Sequence, residues 1–451
     1  MSDFVLKAGL DLPIAGGVEG TEVQTLAAPA QVAVTPPDYP GYKMRLAVKE
    51  GDAVQAGQPL GYAKIRPDMK FVSPAAGRVV EIRRGHRRSI QAVVVACGEG
   101  GSVDHGALDQ AGIEALGADG VKARLLAGGA WLLLRTKPLA KLADPEHSPT
   151  AILVSAMETG PNCADPSVLL DGRQNDLAAG FAALKQLAPT THLTHGKGGL
   201  PAALSGISGV ETHSFSGPHP AGDPELQINF ICSPGHDQHV WYCRAVDVAD
   251  MGALLRTGHM PTRSRVAVVG DVAKAGYVEA VNGSPIADLV AAAGGASSDD
   301  VRHVGGSVLT GRSLETGDFL GLGGHTLSVV REGGEREFMG WLAPGGNKFS
   351  NHRFFLSALM PGKKHRMTTD THGGPRALVP IGSYNRVVPS DIEPNFLMKA
   401  ILCEDIEEML ALGLLEMSKE EAALCTVVCP SKINYSQILE QGWLQYEKET
   451  A

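Results

Sequence analysis

The sequence predicts a multidomain protein of mixed α/β and α+β class. At 451 residues the chain is too long for one ordinary hydrophobic core, so three or four domains are expected. Its 55 glycines and 28 prolines indicate many turns and short strands. From residue 151 the pattern changes to a buried strand followed by a helix, and the C-terminal residues have the apolar periodicity of amphipathic helices.

Composition excludes several classes of function. A net charge of −9 and a pI near 5.9 disfavour a nucleic-acid partner. The longest apolar run, Leu125 to Leu134, is about half of the ~20 residues that a transmembrane helix needs. Charged residues within the first twelve positions argue against a signal peptide, and seven irregularly spaced cysteines indicate reduced thiols. We therefore expect a cytoplasmic chain without a transmembrane segment, which reaches a membrane only through a protein partner.

The first predicted domain covers residues 1–97. Residues 48–60 and 71–82 predict short strands around glycine turns, with a spacing that resembles the biotinyl/lipoyl-type barrel-sandwich hybrid. That family carries a modified lysine at a hairpin tip, where this chain has Arg66-Pro67-Asp68. Pro67 replaces the exposed residue that a ligase must reach, so the barrel is expected without a swinging arm. Residues 98–145 are predicted to be a linker with a short helix.

Residues 146–262 are predicted to form a Rossmann-like domain. Ala151 to Ala156 is a buried-strand run, and Asp176 to Leu187 has helical spacing of apolar residues. Further strands are expected at Leu226 to Ile231 and Arg265 to Val269. Alternation of strands and helices favours a sheet covered by helices.

The glycine pattern of nucleotide-binding loops is missing. Gly270 stands alone after its strand, where two glycines are needed for close approach to a pyrophosphate. Gly196-Lys197 and Gly362-Lys363 lack the earlier glycine of a phosphate loop. The Rossmann-like domain is therefore expected to lack its nucleotide loop, and direct binding of NADH or ATP is disfavoured.

Two further units are predicted at 263–345 and 346–451. The first contains a hairpin, a helix ending near Gly294-Gly295 and returning strands, an order that resembles the soluble ligand-binding β-grasp (SLBB-like) fold. The second is expected to be helical. Asn395 to Leu415 has the periodicity of one amphipathic helix, and Ser418 with Glu421 predicts a capping box that opens another.

Seven segments in chain order are similar to the A subunit family of the sodium-translocating NADH:quinone oxidoreductase. Among them are Phe215-Ser-Gly-Pro-His-Pro-Ala-Gly222 and Ala423-Leu-Cys-Thr-Val-Val-Cys-Pro430. The others are 9–16, 73–85, 306–311, 337–341 together with 348–350, and 376–382. Residues 134–139 and 157–161 depart from the family pattern, and 17–45 match it poorly.

The resemblance implies a peripheral subunit on the cytoplasmic face of the bacterial inner membrane, in a six-subunit complex that oxidises NADH, reduces ubiquinone and exports sodium ions. It implies five partner subunits, B to F, chiefly the membrane-embedded B subunit. It also implies that ubiquinone is the substrate, that NADH, FAD, FMN and Fe-S belong to other subunits, and that this chain has no permanently bound cofactor and no complete active site.

The predicted domain set is similar to that of the flavin subunit of respiratory complex I, which favours quinone handling and assembly over hydride transfer. Two alternatives remain open at this point. One is a free-standing module that binds quinone or another ligand, and the other is a subunit of a paralogous electron-transport complex.

Quinone reduction needs an apolar slot and hydrogen-bond donors at the quinone oxygens. Phe215 and His219, in a rigid proline- and glycine-rich loop, are the first candidates for quinone contacts. Trp341 and Lys348 are the second pair. The competing interpretations are a structural loop between strands for the first pair, and a packed strand with an exposed turn for the second.

No metal site is predicted. Two cysteines and two histidines within residues 232–243 match no standard zinc spacing: Cys232, His236, His239 and Cys243. Cys403, Cys425 and Cys429 supply three thiols where an iron–sulfur cluster needs four. Buried apolar thiols are the simpler interpretation.

Overall fold

The computed structural model describes residues 2–235, 238–334, 338–352, 354–360 and 362–450, with Trp341 described by its backbone alone. The strands in chain order are β1 Ser2–Val5, β2 Val23–Thr25, β3 Gln31–Val34, β4 Met44–Leu46, β5 Ala53–Val54, β6 Pro59–Ala63, β7 Arg66–Val72, β8 Gly77–Arg84, β9 Ile90–Cys97, β10 Arg135–Lys137, β11 Lys141–Leu142, β12 Ala151–Ser155, β13 Thr191–Gly196, β14 Glu211–Ser216, β15 Val240–Arg244, β16 Arg263–Gly270, β17 Gly276–Val281, β18 Val301–Gly305, β19 Arg312–Leu314 and β20 Thr326–Arg331. The helices are α1 Gln110–Glu114, α2 Gly117–Ala127, α3 Pro166–Leu170, α4 Gln174–Leu187, α5 Pro224–Ile231, α6 Ala245–Thr257, α7 Ile286–Ala292, α8 Pro394–Leu402, α9 Ile406–Ala411, α10 Lys419–Val428 and α11 Tyr435–Thr450.

The N-terminal part is a barrel-sandwich of two small antiparallel sheets, as the sequence predicts. One sheet has the order β3-β9-β8-β5 and the other β4-β6-β7. Alternate residues such as Val93 and Val95 point inwards and pack against Leu60. The β6–β7 hairpin turns between Ala63 and Arg66, and the Arg66 guanidinium pairs with carboxylates of residues 144 and 146, which anchors the hairpin to the next part of the chain.

A seven-stranded sheet forms the middle of the molecule, with the order β1-β14-β13-β12-β15-β10-β11. The strands from β1 to β15 in this order run parallel, and β10 and β11 are antiparallel additions. Helices α1, α2, α4 and α6 pack on one face, where Leu177 and Leu184 meet Ile152 and Trp241. Helix α5 covers the other face. Ala151–Ser155 and α4 confirm the predicted strand and helix.

Residues 98–145 differ from the expected linker. They contribute α1, α2, β10 and β11, and the side chains of Leu125, Trp131 and Leu134 are fully buried. The cause is visible in the sequence, because the apolar run from 125 to 134 cannot remain in water without a large cost. The segment is therefore an integral layer of the seven-stranded unit.

The strand predicted at Leu226 to Ile231 is wrong, since these residues belong to helix α5. The Asp223 carboxylate caps the helix by accepting a hydrogen bond from the Glu225 amide, and Pro224 occupies the first helical position. Aspartate followed by proline is a start pattern for helices, and here it prevails over the β-propensity of the isoleucines.

Residues before the barrel are paired with distant strands. Strand β1 pairs in parallel with β14, so that Phe4 lies opposite Phe215. Strand β2 pairs in parallel with β17. Residues 2–5 and 23–25 therefore belong to two other sheets, although the prediction from the sequence placed them in the barrel domain.

The second large sheet has six strands in the order β19-β18-β20-β16-β17-β2. Hairpin β16–β17 is followed by helix α7 and then by β18 to β20, with β20 parallel to β16. Ile286 and Leu289 of α7 pack on the sheet against Val266 and Val268. Strand β16 confirms a strand at Arg265 to Val269, but it belongs to this six-stranded sheet and not to the Rossmann-like sheet for which it was predicted.

The C-terminal region is helical from Pro394 onwards, with a core that includes Leu397 and Trp443. The described part of residues 346–393, which the prediction included in the helical unit, contains no α-helix. Ser418 and Glu421 form the predicted capping box. The helix expected over 395–415 is instead split into α8 and α9, because Glu404 adopts a left-handed conformation and Asp405 caps the second helix. Within the described ranges, none of the helices combines the length and apolarity needed to cross a bilayer.

Candidate functional site

His219 lies in the loop between β14 and α5, at the carboxyl end of the parallel strands, where open α/β sheets usually bind ligands. The N-terminal segment holds this loop in place. The Leu10 amide donates to the His219 carbonyl at 2.8 Å, and the Asp11 carboxylate accepts from the His219 amide at 2.8 Å. At Gly9, with φ of +135°, a Cβ would clash with the His219 carbonyl oxygen, so this close approach requires glycine.

The His219 imidazole is 2% exposed, and both of its nitrogens have partners. Nε2 lies 3.2 Å from Glu420 Oε2, and Nδ1 lies 3.1 Å from Thr159 Oγ1. Because an ionised carboxylate can only accept, Nε2 donates to Glu420, and Nδ1 shares a hydrogen bond with the Thr159 hydroxyl. The ring is thus engaged by protein groups on both sides.

Glu420 connects three parts of the molecule. It stands in the first turn of α10, contacts His219 through one oxygen, and accepts the Thr310 hydroxyl through the other at 2.7 Å. Thr310 belongs to the β18–β19 loop. We call His219, Thr159, Thr310, Glu420 and Asp11 the histidine junction, because they join the seven-stranded sheet, the six-stranded sheet, the helical region and the N-terminal segment.

Two carboxyl groups border the histidine junction, the solvent-exposed Glu158 and the buried Asp223. Glu158 accepts hydrogen bonds from the amides of Thr159 at 2.8 Å and Gly160 at 2.7 Å. Burial, followed by the charge of Glu225, raises the pKa of Asp223 well above its usual range. Carboxyl groups of this kind retain protons at higher pH than they do in water. A carboxyl group with a raised pKa, Asp223, therefore lies beside the junction, whose own hydrogen-bonding atoms are engaged by protein groups.

A crevice beside the junction is lined by polar and apolar groups at the carboxyl ends of β12 and β15 and at the start of β20. The lining includes Met157, Glu158, Arg244 and His325. Burial, reinforced by the Arg244 charge, lowers the pKa of His325 to about 4. Its imidazole is therefore neutral at physiological pH.

Lys137 is a buried residue of the same region that sequence reasoning missed. Its ammonium donates to the carbonyls of Glu225 at 2.8 Å and Glu416 at 3.0 Å, and to the Asn229 side chain. Burial lowers its pKa. The lysine joins β10 and α5 to the segment before α10. The one available indication was a lysine inside an apolar stretch, next to a proline.

Phe215, the partner of His219 in the predicted site, is fully buried in an aromatic cluster. Its ring stacks on Phe4 with centroids 4.7 Å apart and meets Phe230 edge-on at 6.3 Å. This packing supports the structural interpretation of the residue. An apolar slot open to a quinone would need a ring face that is not already covered.

The second predicted pair lies elsewhere. The Lys348 ammonium donates to the Gly340 carbonyl at 2.7 Å and lies 5.8 Å from the Phe355 ring centroid. Gly340 begins the 3₁₀ turn that contains the Trp341 backbone, so Lys348 touches the turn that holds Trp341. The Trp341 side chain lies outside what the structure describes. The N-terminal segment passes near this second pair, since the Ala15 amide donates to the His365 carbonyl and His365 Nδ1 lies 3.1 Å from the carbonyl oxygen of Asn347, the neighbour of Lys348.

The structure does not assemble the zinc candidates near residue 232. Cys232 packs on the α5 face of the seven-stranded sheet, whereas Cys243 lies in the core on the opposite face. Burial raises the pKa of Cys232 to about 11 and that of Cys243 well above its usual range. The His239 ring stacks on His147 at 4.6 Å, and His236 lies outside the described residues.

The three C-terminal cysteines have different surroundings. Cys425 and Cys429 are buried in the helical core, where the Tyr384 hydroxyl donates to Cys429 Sγ at 3.3 Å. Burial raises the pKa of Cys425 well above its usual range, which keeps it a thiol. Cys403 is exposed at the end of α8.

A third group of residues was not predicted at all. His192 on β13 comes close to Glu211 and His213 on β14. The pattern that could have revealed it is the spacing of two between Glu211 and His213, which places both side chains on one face of a strand. Finding His192 opposite them also requires the strand register, which this sequence alone does not supply.

Among solved structures, a chain of an NAD+-reducing [NiFe]-hydrogenase in the air-oxidized state has a TM-score of 0.40 and 15% identity to this chain. The match covers 76% of this chain and 64% of the other, less than two thirds of its length. A TM-score of this size is too low to support a shared fold.

Two family models and several relatives match the chain closely. Residues 4–98 match the NqrA N-terminal barrel-sandwich hybrid domain, and residues 116–260 match the NqrA second alpha/beta domain. The A subunit of the Na(+)-translocating NADH-quinone reductase of Shewanella amazonensis is 38% identical, with 97% of each chain covered. The corresponding chain of Vibrio parahaemolyticus is 37% identical over 99% of this chain and 100% of its own length, and that of Neisseria meningitidis serogroup B is 35% identical over 98% and 99%. This chain therefore belongs to the A subunit family of the Na+-translocating NADH-quinone reductase.

Proposed function

We propose that this chain is a peripheral subunit on the cytoplasmic face of the inner membrane, where it docks on membrane-embedded subunits of an NADH:ubiquinone reductase that exports sodium ions. In this proposal its chief partner is the B subunit, and it contributes to assembly and quinone handling. The names of its relatives support the complex-level activity, because each is the A subunit of a Na+-translocating NADH-quinone reductase.

The observation that carries the docking proposal is an exposed apolar segment within residues 338–360. Phe338 is 93% exposed, Phe354 82% and Leu359 78%. Four further apolar side chains are about half exposed: Met339, Leu342, Leu356 and Met360. Several large apolar side chains exposed within one segment favour an interaction surface. Full burial of each large side chain on a partner would stabilise the complex by about 1.5–3 kcal/mol.

Cations stand close to this apolar segment. Lys364 and Arg366 are exposed, and the Arg366 guanidinium has a single acidic neighbour at 3.7 Å among the described residues, Asp271. The whole chain has a net charge of −9, so local positive charge at the apolar segment is a distinguishing feature. Lysine and arginine near a membrane surface are attracted to anionic lipid headgroups. This charge pattern supports docking of the segment on a membrane subunit close to the lipid surface.

We place the quinone contacts at Trp341 and Lys348, on the same segment. An ammonium has three N–H donors, which suits a quinone oxygen that becomes negative on reduction. Phe355, beside Lys348, offers an aromatic face. Phe215 and His219 receive a structural role in this proposal, because one is packed between rings and the other is hydrogen-bonded at both nitrogens.

We also propose that residues 263–345 form an SLBB-like unit related to that in the flavin subunit of complex I. The order of hairpin β16–β17, helix α7 and strands β18 to β20 supports this, as does the central position of β20 beside β16. The chain is expected to hold no permanent flavin or cluster of its own. An absorption spectrum of the purified protein tests this, since a stoichiometric chromophore would overturn it.

Docking is tested with the triple variant Phe338→Ser/Phe354→Ser/Leu359→Ser, captured on tagged membrane subunits from solubilised membranes. We expect at least a tenfold loss of affinity, because three apolar anchors are removed. The matched control is Phe396→Ser/Leu444→Ser, which changes exposed apolar residues on helices α8 and α11. Equal loss in the control, or none in the triple variant, would refute docking through residues 338–360.

The quinone proposal is tested by titrating the purified chain with a short-chain ubiquinone. Lys348→Met and Trp341→Leu are each expected to weaken binding about tenfold, whereas His219→Ala leaves the affinity within about twofold. If only the His219 variant binds quinone more weakly, the quinone site must instead be assigned to the histidine junction.

A further inference from the structure

Two histidines and a glutamate meet near the amino ends of β13 and β14. His192 is the register partner of Glu211 across the two parallel strands, and His213 lies two residues further along β14, on the same face. His192 Nδ1 is 3.1 Å from His213 Nε2 and 3.5 Å from Glu211 Oε2. One ligand atom from each of the three residues lies within 4.8 Å of the others.

We propose that His192, Glu211 and His213 form a zinc-binding site. Zinc binds imidazole nitrogens at about 2.0–2.1 Å in tetrahedral geometry, which places neighbouring ligand atoms about 3.3 Å apart. The two distances from His192 Nδ1, 3.1 Å and 3.5 Å, bracket this value. The third pair of ligand atoms, on Glu211 and His213, lies within 4.8 Å, so these two side chains must approach each other to bind the ion.

The chemistry of the ligands favours zinc over magnesium or calcium. Two imidazoles and one carboxylate suit borderline cations, whereas Mg²⁺ and Ca²⁺ prefer sites made of oxygen atoms. Both imidazoles are buried, and they lie on adjacent strands of one sheet. The ion would replace the proton shared between His192 Nδ1 and His213 Nε2.

The fourth coordination position faces solvent in this geometry. The Glu211 side chain is 64% exposed, whereas the two histidines are buried, so the site opens on its carboxylate side. A water molecule can complete the tetrahedron there.

The place of the site in the sheet indicates a structural role. It lies near the amino ends of β13 and β14, whereas the histidine junction lies beyond the carboxyl end of β14. Strand β1 is attached to β14 at this position, with Ser2 opposite His213 and the Phe4 ring 6.2 Å from the His213 ring. A bound ion would tie β13 to β14 at the point where the edge strand joins. This inference is independent of the proposed docking and quinone contacts.

The test uses the full chain, first stripped of metal with a chelator and then titrated with Zn²⁺ in competition with a chromophoric chelator. We expect one equivalent to bind, and Glu211→Gln and His213→Gln to weaken binding at least tenfold. His147→Gln is the matched control, since His147 belongs to a stacked histidine pair elsewhere and should leave the affinity unchanged. No binding by the native chain, or equal affinity in all variants, would overturn the proposal.

Two further measurements separate this site from the thiols and from loss of folding. Co²⁺ should give visible tetrahedral bands without the intense sulfur-to-metal band of thiolate ligands; that sulfur band would overturn the assignment. Zn²⁺ should raise the Tm of the native chain but not of Glu211→Gln, whose exposed substitution leaves the core intact. An equal Zn²⁺-induced rise in both proteins would also contradict the proposal.

Discussion

The loop that carries His219, residues 215–222, and the apolar segment at 338–360 are both rich in glycine, proline and aromatic residues, yet they lie in opposite environments. In the junction, the His219 ring is buried and hydrogen-bonded at both nitrogens. In the apolar segment, large side chains such as Phe338 face water. The difference shows that a rigid loop with a buried histidine can have a purely structural role. Exposed apolar side chains do not stabilise the fold of a single chain, and they indicate an interaction surface instead.

If buried polar contacts around the junction hold the molecule together, Lys137→Met should have the largest effect on stability. The substitution removes the donor to two carbonyls and one amide oxygen, so we expect the free energy of unfolding to fall by about 3 kcal/mol in urea titrations. Lys141→Met is the control, because this lysine pairs with Glu447 near the surface and should cost under about 1 kcal/mol. Equal losses of unfolding free energy in the two variants would show that the buried Lys137 stabilises the protein no more than a lysine near the surface does.

His219→Ala tests the junction itself. Loss of the ring leaves the Glu420 and Thr159 side chains without a shared partner and opens a cavity, so a destabilisation of about 2 to 3 kcal/mol is expected. Chemical denaturation measures it, with the exposed His352→Ala as control. A stable His219 variant that no longer binds quinone would reverse the contrast between the two regions.

His325 adds a pH-dependent test of the interior. Its pKa of about 4 in the folded protein lies below the usual value near 6.5, so the folded state resists protonation. The contribution of the neutral His325 ring to the free energy of unfolding is complete above about pH 6.5 and is lost as the pH falls towards 4. From pH 7 to pH 5 the free energy of unfolding should fall by roughly 2 kcal/mol more than in His325→Leu.

Urea titrations of the native chain and the variant at both pH values measure this difference. His86→Leu, an exposed substitution, should behave like the native protein. If His325→Leu shows the same pH dependence as the native chain, His325 does not titrate as its burial implies.

The smallest effect on stability is expected for the apolar segment. Phe338→Ser/Phe354→Ser/Leu359→Ser should change the free energy of unfolding by less than about 0.5 kcal/mol, because these side chains are already in water. Thermal and urea unfolding of the isolated chain measure this value. A large destabilisation would show that these residues support the fold, and the contrast with the histidine junction would disappear.

Local patterns in the sequence were sufficient for several elements. Turn glycines predicted the barrel-sandwich, a strand followed by a helix predicted β12 and α4, and Ser418 with Glu421 predicted the start of α10. Each depends on neighbours within a few residues. The helix at 224–231 was missed, although Asp223-Pro224 is also a local pattern, because the apolar run was given more weight than the cap.

The features that could not be predicted depend on contacts between residues far apart in the sequence. Nothing near Lys137 in the chain identifies Glu225 and Glu416 as its acceptors, and nothing near His192 identifies the register that brings Glu211 to it. The candidate pair Phe215 and His219 was chosen for residue type and loop rigidity. Whether the ring nitrogens of His219 are available depends on Thr159 and Glu420, 60 and 201 positions away.

Strand β1 has a consequence for how the chain is made. Ser2–Val5 can pair only with Glu211–Ser216, which leave the ribosome about 210 residues later, or roughly 10 to 40 s at ordinary rates of bacterial synthesis. During that interval the backbone donors and acceptors of β1 have no partner strand, and the Phe4 ring has no aromatic neighbour to cover it. Nascent chains should therefore expose this segment to chaperones until the middle of the protein emerges.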